Sequence, residues 1–98
     1  MKVQVSPTAR RQLLALAAWW NENRRTASVR VEDAFETAVA AMAEHPGLGP
    51  AYPLDARYRT WRLRGTPYFL LYRVDDAAGI IWVVAAWSAV TGLGPELP

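Results

Sequence analysis

Four arginines fall within eight positions of the sequence, in RYRTWRLR at residues 57–64, and no acid interrupts them. A fifth, Arg73, follows in the apolar run PYFLLYRV. A guanidinium is planar and permanently charged, and its fork of donors matches phosphate or carboxylate in paired contacts. It cannot accept a proton. Groups that could exchange protons are scarce around it. Tyr58 lies inside the arginine run, but nothing in the sequence singles it out as an acid. The stretch Trp87-Ser88-Ala89-Val90 offers no titratable side chain before Glu96. These residue types point to recognition of an anion or an acidic protein surface, and no catalytic residue is identified. With no cysteine and His45 as the only histidine, no metal site and no cofactor is expected. His45 reads as the end of a helix, and Asp75 and Asp76 as turn formers.

The elements that position these residues can be traced from the N-terminus. Val3 and Val5 alternate with polar neighbours, as in a short strand. Ser6-Pro7 is a helix start, with a hydroxyl at the cap and proline at the first helical position. Ala9, Leu13, Leu16 and Trp20 continue at helical spacing, and Leu14 and Ala17 widen the stripe. A second helix is expected from Thr26 or Ser28. Its apolar face is Val31, Phe35, Ala38 and Met42, and it stops by His45-Pro46. The two helices form an antiparallel hairpin. After a turn-rich connection over residues 46–57 come strand-like runs at 58–64, 67–74 and 80–87. Gly65-Thr66 suggests a two-residue type II′ turn between the first two runs. The order is strand, helix, helix, then a three-stranded meander, an α+β architecture with helices on one sheet face.

Period-two alternation assigns side chains to faces. The turn at 65–66 sets Arg62 opposite Phe69 and Trp61 opposite Leu70. Pairing Val74 with Ile80 in the second hairpin would place Trp61, Leu63, Tyr68, Leu70, Tyr72, Trp82 and Val84 on the core face. The other face would then hold Tyr58, Arg62, Phe69, Leu71, Arg73, Ile81, Val83 and Trp87. A solvated sheet face is normally polar, whereas this one has an apolar centre flanked by arginines. A partner chain, the C-terminal tail or a second copy is expected to cover it. Trp19 and Trp20 are adjacent on a helix and cannot share one buried face. Trp20 fits the core stripe, which leaves Trp19 for edge packing or a partner.

With 98 residues, 52% hydrophobic and 20% charged, the chain reads as one globular domain over residues 1–98. Five Trp and four Tyr are many for this length. A domain this small buries only about 60–70% of its unfolded surface, so some aromatic surface is expected outside the core. A net charge of +2 is too small to require nucleic acid. No apolar run reaches membrane-spanning length and the start lacks a signal peptide's apolar core, so a cytoplasmic location is expected.

The order and spacing of several segments resemble the RelE/ParE toxin superfamily, and more closely its ParE-like branch. They are the opening strand with S-P-x-A (Val3 to Ala9), H-P-G-L-G (His45 to Gly49), W-R-L (Trp61 to Leu63) and P-Y-F-L-L-Y-R-V (Pro67 to Val74). The family's strand tyrosines and arginine fall on Tyr68, Tyr72 and Arg73. The resemblance implies a β-α-α-β-β-β fold whose helical hairpin lies on one face of a small, mainly antiparallel sheet. It also implies a cognate antitoxin that lays a helix and an extended segment over the hairpin or the sheet. RelE-like members cleave mRNA on the ribosome, which requires a proton donor and acceptor besides cations. Such a residue usually follows the final strand, where this sequence has Trp87-Ser88-Ala89-Val90. ParE-like members inhibit DNA gyrase by binding, which needs no such group. The partner- or target-binding candidates are Arg57, Arg59, Arg62, Arg64, Arg73, Tyr58, Trp87 and Trp19. A ribosome-dependent mRNA interferase and a non-toxic interaction module of the same fold are the alternatives.

Overall fold

Ser6 caps the first helix as its position before Pro7 requires. In the computed structural model, which describes residues 1–91, its backbone is extended and its Oγ accepts the Ala9 N–H at 3.1 Å. Helix α1 (Pro7–Asn23) buries Ala9 and Trp20, while Leu13, Leu16 and Ala17 pack partly on the same core. Leu14 does not join this stripe and is 65% exposed. One residue past Leu13 it is rotated by about 100°, which turns it away from the sheet.

Helix α2 (Val31–Glu44) starts later than Thr26 or Ser28. The Trp20 indole N–H donates to the Val29 carbonyl at 2.8 Å, and Val29 packs at the core edge. That carbonyl is thereby held in a connecting loop, and the first helical bond runs from Ala34 N–H to Arg30 O. The expected face holds. Val31, Ala38 and Met42 are buried with Ala34, and Phe35 packs beside them. The helix ends at Glu44, with His45 as its cap before Pro46.

Strands β1 (Lys2–Val5), β2 (Arg59–Arg62), β3 (Tyr68–Asp75) and β4 (Ile80–Ser88) form one sheet in the order β1-β4-β3-β2. Strand β1 is parallel to β4 and the other pairs are antiparallel. A 3-10 turn, Ala89–Thr91, follows β4. Both helices contribute to a core on one sheet face that includes Leu63, Leu70, Tyr72, Ile81 and Val83.

Arg62 lies opposite Phe69 and Trp61 opposite Leu70, as expected, but the turn joining β2 to β3 is not the expected two-residue type. The Thr66 N–H donates to Leu63 O at 3.1 Å, which places Gly65, with φ +83°, third in a Leu63–Thr66 turn. Proline is the reason. A two-residue loop at 65–66 needs an N–H at position 67 to bond Arg64, and Pro67 has none.

The second hairpin departs further. Asp75 pairs with Ile80 and Val74 with Ile81, one residue away from the expected register. A one-residue slip exchanges faces. Ile81 and Val83 are therefore fully buried against the helices, and Trp82 and Val84 lie on the outer face. Two features set this register. The Asp75 carboxylate accepts the Ala78 N–H at 3.1 Å across the loop, and parallel pairing brings Val3 beside Ile81 and Val5 beside Val83. A register shift then carries the pairing from Tyr72 with Val83 to Leu71 with Ala85. This bulge at Val84 returns Trp87 to the outer face, opposite Phe69.

The outer face is partly covered from within the chain. Residues 50–60 fold back on themselves, with Tyr52 N–H bonded to Tyr58 O at 2.9 Å and Thr60 N–H to Pro50 O at 2.9 Å. Tyr52 and Tyr58 pack on a second small core of Leu71, Val84 and Ala85, together with Trp82 and Trp87. The connection at 46–57 thus supplies a cover that composition alone did not suggest. The C-terminal tail beyond Thr91, the other intramolecular candidate, lies outside the described residues.

Candidate partner- and target-binding surfaces

The five arginines singled out by type do not act as one cluster. Arg57 forks onto its neighbour Asp55, with Nη2 at 2.7 Å from Oδ2 and Nε at 3.0 Å from Oδ1, and lies over the Tyr58 ring at 5.7 Å. The Arg57 side-chain hydrogen bond holds the Asp55 carboxyl below its usual range, and Asp55 in turn raises Arg57. Arg59 lies opposite Tyr72 on β3, and its Nη1 donates to Gly49 O at 2.8 Å. Both thus have an intramolecular partner, although the Arg57 side chain remains 80% exposed.

Arg62, Arg64 and Arg73 form no ion pair with another described residue. Arg62 is exposed on the outer face, and its Nε donates to Thr66 O at 3.1 Å. Arg64 is exposed in the turn beside Gly65. Arg73 is half-buried on the outer face, opposite Trp82. Arg62 faces Phe69, and Arg73 stands four residues further along β3, or roughly 13 Å at strand rise. That backbone spacing suits two contacts on an extended partner.

Beside Arg62 lies an aromatic plate, separated from Arg73 by the row of Leu71 and Ala85. Trp87 stacks on Phe69 with ring centroids 5.5 Å apart and planes at 23°, and Tyr52 meets Trp87 edge-on at 6.5 Å. Tyr58 is half-buried at the margin. Trp19 is not part of this face. It projects from α1, 53% exposed, on the far side of the molecule's core.

Two features were not read from the sequence. The first is a hydroxyl clamp. Tyr72 Oη donates to Pro46 O at 2.9 Å and accepts the Gly49 N–H at 3.1 Å, fastening the HPGLG segment to the sheet. Burial pushes the Tyr72 hydroxyl above its usual range, against the opposing pull of the Gly49 N–H and Arg59. A side chain at Gly49 would strike Thr60 O and the Tyr72 hydroxyl, which accounts for glycine there. The second is an open cleft of about 360 Å³ between the helices, floored by Val5, Leu13, Leu14, Ala17, Val31 and Phe35 and edged by Arg10, Glu32 and Glu36. The exposed Leu14 is its only sequence signal, an apolar residue beyond the stripe that the core requires.

Comparison with solved structures finds the toxin–antitoxin complex RelBE2 from Mycobacterium tuberculosis. The match has a TM-score of 0.64 and 27% identity, and covers 89% of this chain and 88% of the matched one. Comparison with curated protein sequences gives no significant match. The family model described as the ParE toxin of the type II toxin-antitoxin system parDE matches residues 3–89, which takes in both helices and, apart from Lys2, all four strands. With the fold and the span in agreement, the chain belongs to the ParE toxin family of type II toxin–antitoxin systems.

Proposed function

We propose that this chain is a toxin held in check by a cognate antitoxin, and that when free it acts by binding a replication target such as DNA gyrase. The observation that carries the binding reading is the outer sheet face. There Arg62 adjoins the stacked Phe69–Trp87 pair in one row across the sheet, and Arg73 lies further along β3 beside Trp82, beyond Leu71. The sequence leaving it, Ser88-Ala89-Val90, brings no proton-transfer group. His45 is on the helical layer as the cap of α2. The antitoxin is supported by the cleft between α1 and α2, whose apolar floor and exposed Leu14 suit the apolar side of a partner helix. The similar RelBE2 structure is itself a toxin–antitoxin complex.

Gyrase supercoiling and ribosome-bound mRNA cleavage, assayed side by side with purified protein, test this reading. Supercoiling should be inhibited and mRNA left intact. Arg62→Ala and Arg73→Ala should each weaken inhibition by about tenfold, near 1.4 kcal/mol, with unchanged circular dichroism. Cleaved mRNA with unaffected gyrase would replace the proposal by a ribosome-dependent interferase. Normal growth of cells expressing the chain without an antitoxin would point to a non-toxic module. Unfolding of both variants would mean that the two arginines are structural.

A further inference from the structure

At the opposite edge of the core, two depressions meet across a single pair of side chains. One is an apolar groove of about 430 Å³ between α1 and the end of β4, walled by Leu16, Trp19, Pro67, Tyr68 and Val90. The other is a polar notch of about 230 Å³ at the end of α1, lined by Arg24, Arg25 and Arg30. Trp20 and Arg24 line both. Trp19 and Val90 stand open at the groove, 53% and 78% exposed.

The Arg24 guanidinium lies over the Trp20 ring at 5.9 Å, and the Trp20 indole N–H is engaged by Val29 O. Arg30 is ion-paired with Glu32 at 3.0 Å. Arg24 and Arg25 take part in no ion pair with a described residue, so the notch carries uncompensated positive charge. The end of a helix, where carbonyls point outward, tolerates such cations. We infer that this bipartite surface receives a second segment of the antitoxin, with an apolar side chain in the Trp19–Val90 groove and a carboxylate about one helical turn away in the arginine notch.

The chemistry favours a peptide over a nucleic-acid strand. Single strands bind where bases can stack on open aromatic faces. Here one face of Trp20 is taken by Arg24 and its ring meets Tyr68 edge-on at 5.7 Å, so only Trp19 offers a platform. Ala15, Leu16, Pro67 and Val90 make the rest of the wall mainly aliphatic, with Ser88 among them, as in grooves that accept apolar anchors. Arginine forks pair with carboxylates bidentately, which matches the notch to an Asp or Glu. This groove is separate from the cleft between α1 and α2: Leu13, Leu14 and Phe35 line the cleft, and none of them lines the groove. The inference rests on the proposal that the chain has a protein antitoxin.

The test titrates the full-length chain with the product of the adjacent antitoxin reading frame, by calorimetry at about 0.05 M and about 0.5 M salt. Trp19→Ala and Arg25→Glu alter exposed side chains, and thermal melting verifies that both variants fold. Each should weaken binding by about tenfold, and the Arg25→Glu deficit should shrink at high salt. Wild-type affinity in both folded variants at both salt concentrations would overturn the inference and leave the proposed function standing. Failure of the wild-type chain to bind that product would overturn both. Unchanged antitoxin affinity, with Arg25→Glu abolishing binding of a labelled single-stranded 20-mer, would reassign the notch to nucleic acid. Unchanged affinity with loss of a wild-type dimer in sedimentation would reassign the groove to a second copy.

Discussion

Tyr72 shows how far one atom can reach in a small domain. Its hydroxyl joins β3 to the segment after α2 through Pro46 O and the Gly49 N–H, and Arg59 holds the same segment by Gly49 O. Tyr72→Phe removes the clamp and leaves a buried N–H and carbonyl without it. It should cost about 1–3 kcal/mol in urea unfolding. The pH dependence follows from the raised folded-state value of this group, whose neutral form burial favours. The unfolded chain then loses the proton more readily than the folded one. The stabilisation is fully present below an ordinary tyrosine value near 10 and declines as pH rises through the folded value. Tyr68, raised by burial and opposed by Arg24, acts in the same direction. The alkaline decline should therefore be shallower in Tyr72→Phe than in the wild type, without disappearing. An unchanged alkaline slope would exclude Tyr72 as a source. The sequence placed Tyr72 in the core, but its hydroxyl partners are backbone groups 26 and 23 positions away, which no local pattern encodes. The same limit applies to Arg57 and Arg59. Residue type made them candidates for a partner, and only the tertiary structure shows their contacts with Asp55 and Gly49.

At the scale of elements, the two hairpins mark where alternation can and cannot be read. In the first, polar and apolar residues alternate well enough that Trp61 and Arg62 met their expected partners even though the turn differs. In the second, residues 80–87 are apolar throughout and offer no contrast between faces. The pairing with β1, the loop after Asp75 and the bulge at Val84 chose the face instead. The glycines of the two turns give a direct comparison. Gly65 has φ +83°, and a Cβ there would lie 2.8 Å from Val29 Cγ2. Gly79 has φ +69° and open space around it. Gly65→Ala incurs both backbone strain and a clash with the loop before α2, whereas Gly79→Ala incurs the strain alone. Gly79→Ala should lose about 1 kcal/mol and Gly65→Ala about 2–3 kcal/mol, a difference of several degrees in thermal midpoint for a domain of this size. Equal losses would mean that Val29 yields without cost and does not brace the turn.

For the whole molecule, the sheet separates two kinds of surface. Helices cover one face and leave an interhelical cleft, while the other face carries aromatic and cationic groups under a partial cover from residues 50–60. If the cleft seats the antitoxin helix, Leu14→Glu should weaken antitoxin binding by about 10–100-fold and leave the thermal midpoint nearly unchanged, since the residue is 65% exposed. Retained affinity in the folded variant would move the antitoxin's seat elsewhere. The sequence by itself determined what local interactions decide. Ser6-Pro7 starts α1, Pro46 stops α2, period-two runs make strands, and the order of elements follows. Tertiary structure decided which face of β4 is buried, which arginines remain open to a partner and where the clefts lie. Each of these depends on contacts between residues distant in sequence, through register, loop packing and a bulge, and a near-uniform apolar strand carries no local signal to anticipate them.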